Sequence, residues 1–314
     1  MSHISRARAL QLVGVAVGVP SCVWQKRVTV GAKNFPEQYL LCELYRQALD
    51  NAGFSVTPLP NISGTKLALA ALVDHRMDLY PEYTGTAFTT VMHREPLRDR
   101  AIATVTSRER LRDSAETYAL VKAYFAQNER LIWLDRAPMS NSQALATRRD
   151  FAATHALHTL TRLSDVAPYL RLGAVADFTR REDGLPGLQR AYGGFLFREV
   201  RLFEIGRQYE ALKDKYVDVI VAFTTDGKLQ DEYFQVLEDD QGFWPPYNVA
   251  PVVREDTLSR YPNIANHLNA VSKLLTDQRM RELNQSAECD DDNGNCESLM
   301  HDVAQRFLHK HGLA

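Results

Sequence analysis

The chain of 314 residues lacks an excess of charge of either sign: 37 lysines and arginines stand against 39 aspartates and glutamates, a formal net charge of −2. A nucleic-acid surface needs a basic excess or a basic face, so that class is set aside. Long apolar runs are also missing. The longest mostly apolar run, Ala9 to Val19, is interrupted by Gln11 and too short to cross a bilayer as a helix. Cysteine is scarce, four in all. There is no Gly-x-Ser-x-Gly elbow, no His-Glu-x-x-His and no phosphate loop, and no carboxylate is set beside a histidine or nucleophile as catalysis requires. The expectation is therefore a protein that is not an enzyme and uses no cofactor and no metal. No internal repeat or low-complexity tract is visible. A composition of 45% hydrophobic and 24% charged residues is that of an ordinary globular chain. Its length suits one large domain or two lobes.

What is present begins at the N-terminus. Arg6 and Arg8 precede the apolar run, and Pro20-Ser21-Cys22 closes it, as in an export signal. Val19-Pro20-Ser21-Cys22 resembles a bacterial lipoprotein cleavage box, which makes Cys22 the candidate lipidation site. The alternative is ordinary signal cleavage nearby, leaving a soluble exported protein. Residues 1–27 are read as the signal peptide, and the mature chain is expected in the periplasm or on the outer face of the cytoplasmic membrane. Cys289 and Cys296 bracket the turn-rich Asp290-Asp291-Asp292-Asn293-Gly294-Asn295, a loop that a disulfide would close in an oxidising compartment. A metal loop is the alternative, although the spacing departs from that of a calcium loop. Cys42, beside Leu41 and Leu44 in a helical pattern, reads as a buried free thiol.

Strand-type and helix-type runs alternate from Val28 onward: strand Val28 to Gly31, helix Glu37 to Ala52, strand Phe54 to Thr57, a helix opening near Thr65, and strand Met77 to Tyr80. Such alternation predicts a largely parallel sheet. Arg94 to Asn128 reads as a charged helical excursion. Strands at Leu131 to Leu134 and Ala144 to Ala146 flank the polar Asn141-Ser142-Gln143, where a crossover to a second lobe is placed. A second alternation follows, with helices near Leu163 to Leu170, Leu185 to Tyr192 and Arg207 to Lys213, and strands at Leu172 to Ala174 and Val217 to Val221. Phe243 to Tyr247 marks the return, and the tail is helical. The expected lobes are residues 28–136 with 243–314, and 137–242. A ligand cleft between two such lobes closes by a hinge.

Asp78-Leu79-Tyr80-Pro81-Glu82-Tyr83-Thr84-Gly85-Thr86 concentrates rings, carboxylates and hydroxyls at the expected end of a strand, with Pro81 read as a fixed turn. Strand ends of open α/β sheets are where small ligands bind. Tyr80 points to the other face and reads as core. Asp226 and Asp240 read as supporting or turn residues, and His301, His309 and His311 as solvated.

These segments occur in a telling order: Lys33-Asn34-Phe35 with Glu37-Gln38, Asp78 to Thr86, Arg181-Glu182-Asp183-Gly184-Leu185-Pro186-Gly187-Leu188, Val217-Asp218-Val219-Ile220, Phe223-Thr224-Thr225-Asp226-Gly227, Leu237-Glu238-Asp239-Asp240 and Pro245-Pro246-Tyr247. From about Val28 to Ala314 the chain resembles the substrate-binding proteins of osmoprotectant ABC importers, which bind glycine betaine, choline, carnitine and related quaternary ammonium compounds. Extra residues in Arg94 to Asn128 are the main departure. The resemblance implies an α/β, two-lobed periplasmic-binding-protein fold (type II-like) and a partnership with an ABC permease and its ATPase. It implies contact with the membrane only through that permease or a lipid anchor, and a monomer that binds no nucleic acid. It also implies a cage of rings around the cation and a carboxylate clamp: Lys33, Tyr83, Thr86 and Tyr247 from the first lobe, Arg181 from the second, with Asn141 at the crossover. Two cage positions differ from tyrosine, Gln143 and Phe223. A quaternary ammonium has no N–H to donate, so aromatic faces suit it, at about 0.5–2 kcal/mol per well-placed ring. Phe223 keeps a π face and Gln143 does not, so glycine betaine has alternatives in carnitine, proline betaine, choline and ergothioneine. Further alternatives are a sensory binding protein and an enzyme on the same scaffold.

Overall fold

A computed structural model describes residues 26–92, 113–289 and 296–313. The apolar run of the export signal, Cys22, most of the Arg94 to Asn128 excursion and the acidic loop at 290–295 lie outside the described residues.

Lys26–Lys33 makes the first strand, β1, exposed at its start and buried continuously over Val30 to Lys33, as for an inner strand covered on both faces. Pro36 starts α1 (Pro36–Asn51), where a missing N–H costs nothing. There follow β2 (Phe54–Ile62), α2 (Thr65–Val73), β3 (Leu79–Tyr83), α3 (Ser114–Asn128) and β4 (Leu131–Trp133). The chain then builds β5 (Gln143–Arg148), α4 (Arg149–His155), α5 (Leu160–Val166), β6 (Arg171–Ala174), α6 (Leu185–Tyr192), β7 (Glu199–Leu202), α7 (Gln208–Lys213), β8 (Val219–Phe223) and β9 (Phe234–Val236). Last come β10 (Val249–Arg254), α8 (Glu255–Arg260), α9 (Ile264–Leu274), α10 (Asp277–Ser286) and α11 (Cys296–Lys310).

Two five-stranded sheets result, ordered β2-β1-β3-β10-β4 and β7-β6-β8-β5-β9. The chain passes from the first to the second between β4 and β5 and returns between β9 and β10. Both sheets are mixed, which corrects the expectation of a largely parallel one. β1 runs parallel to β2 and β3, but β10 is antiparallel to β3 and β4. Likewise β5 is antiparallel to β8 and β9, while β6 is parallel to β7 and β8. The strand that enters or re-enters a sheet arrives without a βαβ crossover, so nothing forces it to run parallel.

Pro81 is a second correction. It sits inside β3, not in a turn, with Pro251 of β10 directly opposite. A facing antiparallel pair exchanges two ladder bonds or none, so pairing two prolines at a non-bonded position sacrifices nothing. The Pro81 carbonyl instead accepts from Gln38 Nε2 at 2.9 Å. Strand β3 is buried along its whole length, and Tyr80 lies in the core with its hydroxyl donating to Glu82.

Cys289 and Cys296 are joined by a disulfide that anchors the start of α11. Cys42 is a buried free thiol pointing at the Val30 carbonyl, and burial pushes it up to about 12. His301 is not simply solvated: its Nδ1 lies 2.8 Å from Glu43 Oε1 and fastens α11 to α1. Among the described residues no helix is long and apolar enough to cross a membrane.

Candidate ligand-binding cleft

A cavity of about 400 Å³ is lined by segments belonging to both sheets. Lys33, Tyr83, Thr86, Asn141, Gln143, Arg181, Phe223 and Tyr247 all line it. Lys33 comes from the end of β1, Tyr83 from the end of β3, and Thr86 from the helical turn Thr84–Thr86 that follows. Gln143 opens β5 and Phe223 closes β8, and the two face each other across that antiparallel pair. Arg181 sits in the loop before α6, and Tyr247 just before β10. Gly85 lets the Tyr247 ring lie close: a Cβ there would meet ring carbon Cδ1 at 2.7 Å.

Both cations expected to hold a carboxylate already have protein partners. Lys33 Nζ is 2.6 Å from Glu82 Oε1, and both side chains are buried. Burial pulls the Lys33 ammonium below the usual lysine range, against the attraction of Glu82. The same Nζ stands 5.0 Å from the Tyr83 ring centroid and 5.8 Å from that of Phe35. Arg181 grips Asp183 with two bonds, Nε to Oδ1 at 2.7 Å and Nη2 to Oδ2 at 2.6 Å. Burial opposes the arginine charge, but the Asp183 pair outweighs it and holds the guanidinium above its ordinary value. For Asp183 burial again works against the charge, and the bonds from Arg181 bring the carboxyl below the usual range. Among the described residues, Arg181 Nη1 has no protein partner.

Asp183 is a junction. Its Oδ2 accepts from the Tyr247 hydroxyl at 2.5 Å and from Thr89 Oγ1 at 3.3 Å, both belonging to segments of the first sheet. Its main-chain oxygen accepts from Trp244 Nε1 at 2.8 Å and from Gln143 Nε2 at 3.0 Å. Gln143 thus fixes the loop that carries Arg181, a task for an amide donor. Burial, then Asp183, pushes the Tyr247 phenol well above its ordinary value, so it stays a donor.

Glu37 is the second junction, 5% exposed at the start of α1. Its Oε1 accepts from the Tyr83 hydroxyl at 2.6 Å and from Asn141 Nδ2 at 2.7 Å. Its Oε2 accepts from Thr225 Oγ1 at 2.6 Å and from Asn284 Nδ2 at 2.8 Å. Burial and then Glu37 hold the Tyr83 phenol well above its ordinary value. Asp226 stands behind Phe223, accepting its main-chain N–H at 2.9 Å and the Tyr209 hydroxyl at 2.6 Å. Asp240 accepts from the Thr161 N–H at the start of α5.

Sequence reasoning missed Phe35 and Phe178 as lining rings, Glu37 and Asp183 as junctions, and Glu82 as the partner of Lys33. Glu37 and Asp183 stood inside the quoted motifs. Their partners are far along the chain, and no spacing rule connects them.

The substrate-binding domain of ABC-type glycine betaine transport systems matches residues 26–310. An ergothioneine transport permease/ergothioneine binding protein, EgtU of Helicobacter pylori (strain G27), is 27% identical over 269 residues, which are 85% of this chain; the chain spans about half the length of that relative, 46%. The glycine betaine-binding protein YehZ of Escherichia coli (strain K12) is 32% identical over 272 residues, 82% of this chain and 84% of that one. A crystal structure titled as a glycine betaine/carnitine/choline ABC transporter shares the two-lobed fold, with a TM-score of 0.72 at 24% identity, covering 92% of this chain and 99% of that one. With the matched region spanning nearly its whole length, the chain belongs to the family of substrate-binding domains of ABC-type glycine betaine transport systems.

Proposed function

We propose that this chain is the exported solute-binding component of an ABC importer for quaternary ammonium osmoprotectants of the glycine betaine type. It would act without catalysis, as a monomer handing its ligand to a permease with its ATPase. The observation that carries this reading is the meeting of rings and polar groups from both sheets in one cavity of about 400 Å³. Tyr83, Phe223 and Tyr247 offer faces to a methylated cation, each worth about 0.5–2 kcal/mol. Arg181 Nη1 and the Thr86 hydroxyl offer donors to a carboxylate, and Lys33 adds positive potential while shared with Glu82. The lobes are 28–136 with 243–314, and 137–242, and a ligand touching both favours the closed form. Residues 1–27 serve as the signal peptide, with Cys22 as the lipid anchor that would keep the protein at the outer face of the membrane.

A second reading, a bulkier or differently substituted betaine, has its own support. Gln143 is tied to Asp183, so one wall has no ring. The cavity also runs outward to Met300 and the Cys289–Cys296 bridge, leaving room beside a small ligand. Carnitine, proline betaine, choline and ergothioneine are the ligands of this reading. Calorimetric titration with these and with glycine betaine separates the two, and absence of heat with every quaternary ammonium compound sinks both.

A further inference from the structure

We propose that Glu37 is the residue that makes the cleft select for positive charge, acting as a fixed counter-charge behind the Tyr83 ring; this rests on the quaternary ammonium reading above. The charges on the inner wall do not cancel. Lys33 is matched by Glu82 and Arg181 by Asp183. Glu37 is buried, and no lysine or arginine among the described residues forms an ion pair with it. The hydrogen bonds to its carboxylate come from neutral donors alone, Tyr83, Asn141, Thr225 and Asn284, while Lys33, already paired with Glu82, acts on it only through space.

That arrangement suits a cation with no N–H. A carboxylate with free lone pairs would call for a donor on the ligand, which a trimethylammonium group cannot supply. Here four protein donors fill the acceptor positions, so only the field of the charge remains to be used. A buried charge with no directly paired countercharge is costly, and a cation entering the cavity removes part of that cost. Tyr83 transmits the effect as well. A phenol donating a bond of 2.6 Å to a carboxylate carries more electron density in its ring, which deepens the attraction of a cation to its face.

Other carboxylates touch the cavity. Asp177, Glu210 and Glu288 lie at its exposed rim, the latter two paired with Lys228. Asp226 backs Phe223 from the opposite sheet and bonds no ring of the proposed cage through a hydroxyl.

The test pairs each ligand with its carbon isostere, in which the quaternary nitrogen is replaced by carbon: glycine betaine with 3,3-dimethylbutanoate, and choline with 3,3-dimethylbutanol. Affinities are measured for the wild type, Glu37→Gln and Asp226→Asn. Wild type is expected to prefer the charged member strongly. Glu37→Gln should lose roughly tenfold or more for the charged member and little for the isostere, narrowing the preference in both pairs. A purely structural role would weaken both members equally, and that result overturns the proposal. Narrowing in Asp226→Asn alone also overturns it, by moving the counter-charge to the other wall. If wild type binds no quaternary ammonium compound, carnitine, proline betaine and ergothioneine included, the functional reading itself fails and takes this proposal with it.

Discussion

Arg181 is placed to serve two partners, Asp183 and the ligand of the proposed function. It closes a bidentate pair with Asp183 and keeps a corner of its guanidinium toward the cavity. A charge-assisted bond of this kind is worth about 1.5–3 kcal/mol. Arg181→Ala is thus expected to weaken glycine betaine by roughly 10- to 100-fold, while choline, which has no carboxylate, changes less than about threefold. Calorimetric titration decides, and equal losses would refute the carboxylate role. Asp226 gives a prediction in pH. Burial pushes its carboxyl up to about 6, against the bonds from Tyr209 and the Phe223 amide. An aspartate is normally near about 3.9 when unfolded. Between these values the native state binds more proton, so this group stabilises the fold below about pH 4 and loses that contribution as pH rises through about 6. The wild-type melting temperature minus that of Asp226→Asn should fall across this window and then level off. A difference that stays flat between pH 4 and 7 would show that Asp226 is not held in this way.

At the scale of elements, the loop before α6 carries more of the site than any strand. It holds Arg181 and Asp183 and ends at Gly184, where a Cβ would lie 2.1 Å from the Phe178 carbonyl oxygen. That neighbour is backbone and cannot swing away. Gly184→Ala should cost about 1–3 kcal/mol in urea unfolding and weaken carboxylated ligands through the displaced Arg181. Full affinity together with unchanged stability would mean the loop has slack that this geometry denies. The elements themselves were largely legible, because apolar periodicity is a local property: β1, α1, β2, α6 and β8 fall close to where the pattern puts them. Strand direction was not. Whether β10 runs with or against β3 depends on where the chain re-enters after more than a hundred residues, and Pro81 is tolerated in a central strand because its pairing with β10 falls at a non-bonded position, a register no local pattern reveals. The candidate site was legible as a set of positions from the resemblance, and all of them face one cavity. Its pairings were not, since Lys33 with Glu82 and Glu37 with Thr225 join segments that are remote in sequence.

For the molecule as a whole, the question is what separates contact with the ligand from closure of the cleft. Tyr247 does both. Its ring lines the cavity, and its hydroxyl reaches 2.5 Å to Asp183, which lies between β6 and β7 of the other sheet. Tyr247→Phe keeps the ring and removes the bond across the cleft. A bond to a charged group contributes about 1.5–3 kcal/mol, of which Asp183 recovers part through Arg181 and Thr89. The closed form then becomes rarer, and apparent affinity falls by the fraction of molecules still able to close. On the proposed closure every ligand waits for the same step, so glycine betaine and choline should weaken by a similar factor, roughly 5- to 20-fold. This differs from Arg181→Ala, which separates the two ligands. Small-angle scattering provides the second readout: ligand should compact the wild type, and the variant should need proportionally more ligand to reach the same radius of gyration. A loss confined to glycine betaine would instead make the Tyr247 hydroxyl a direct carboxylate contact, and the closure role would fall.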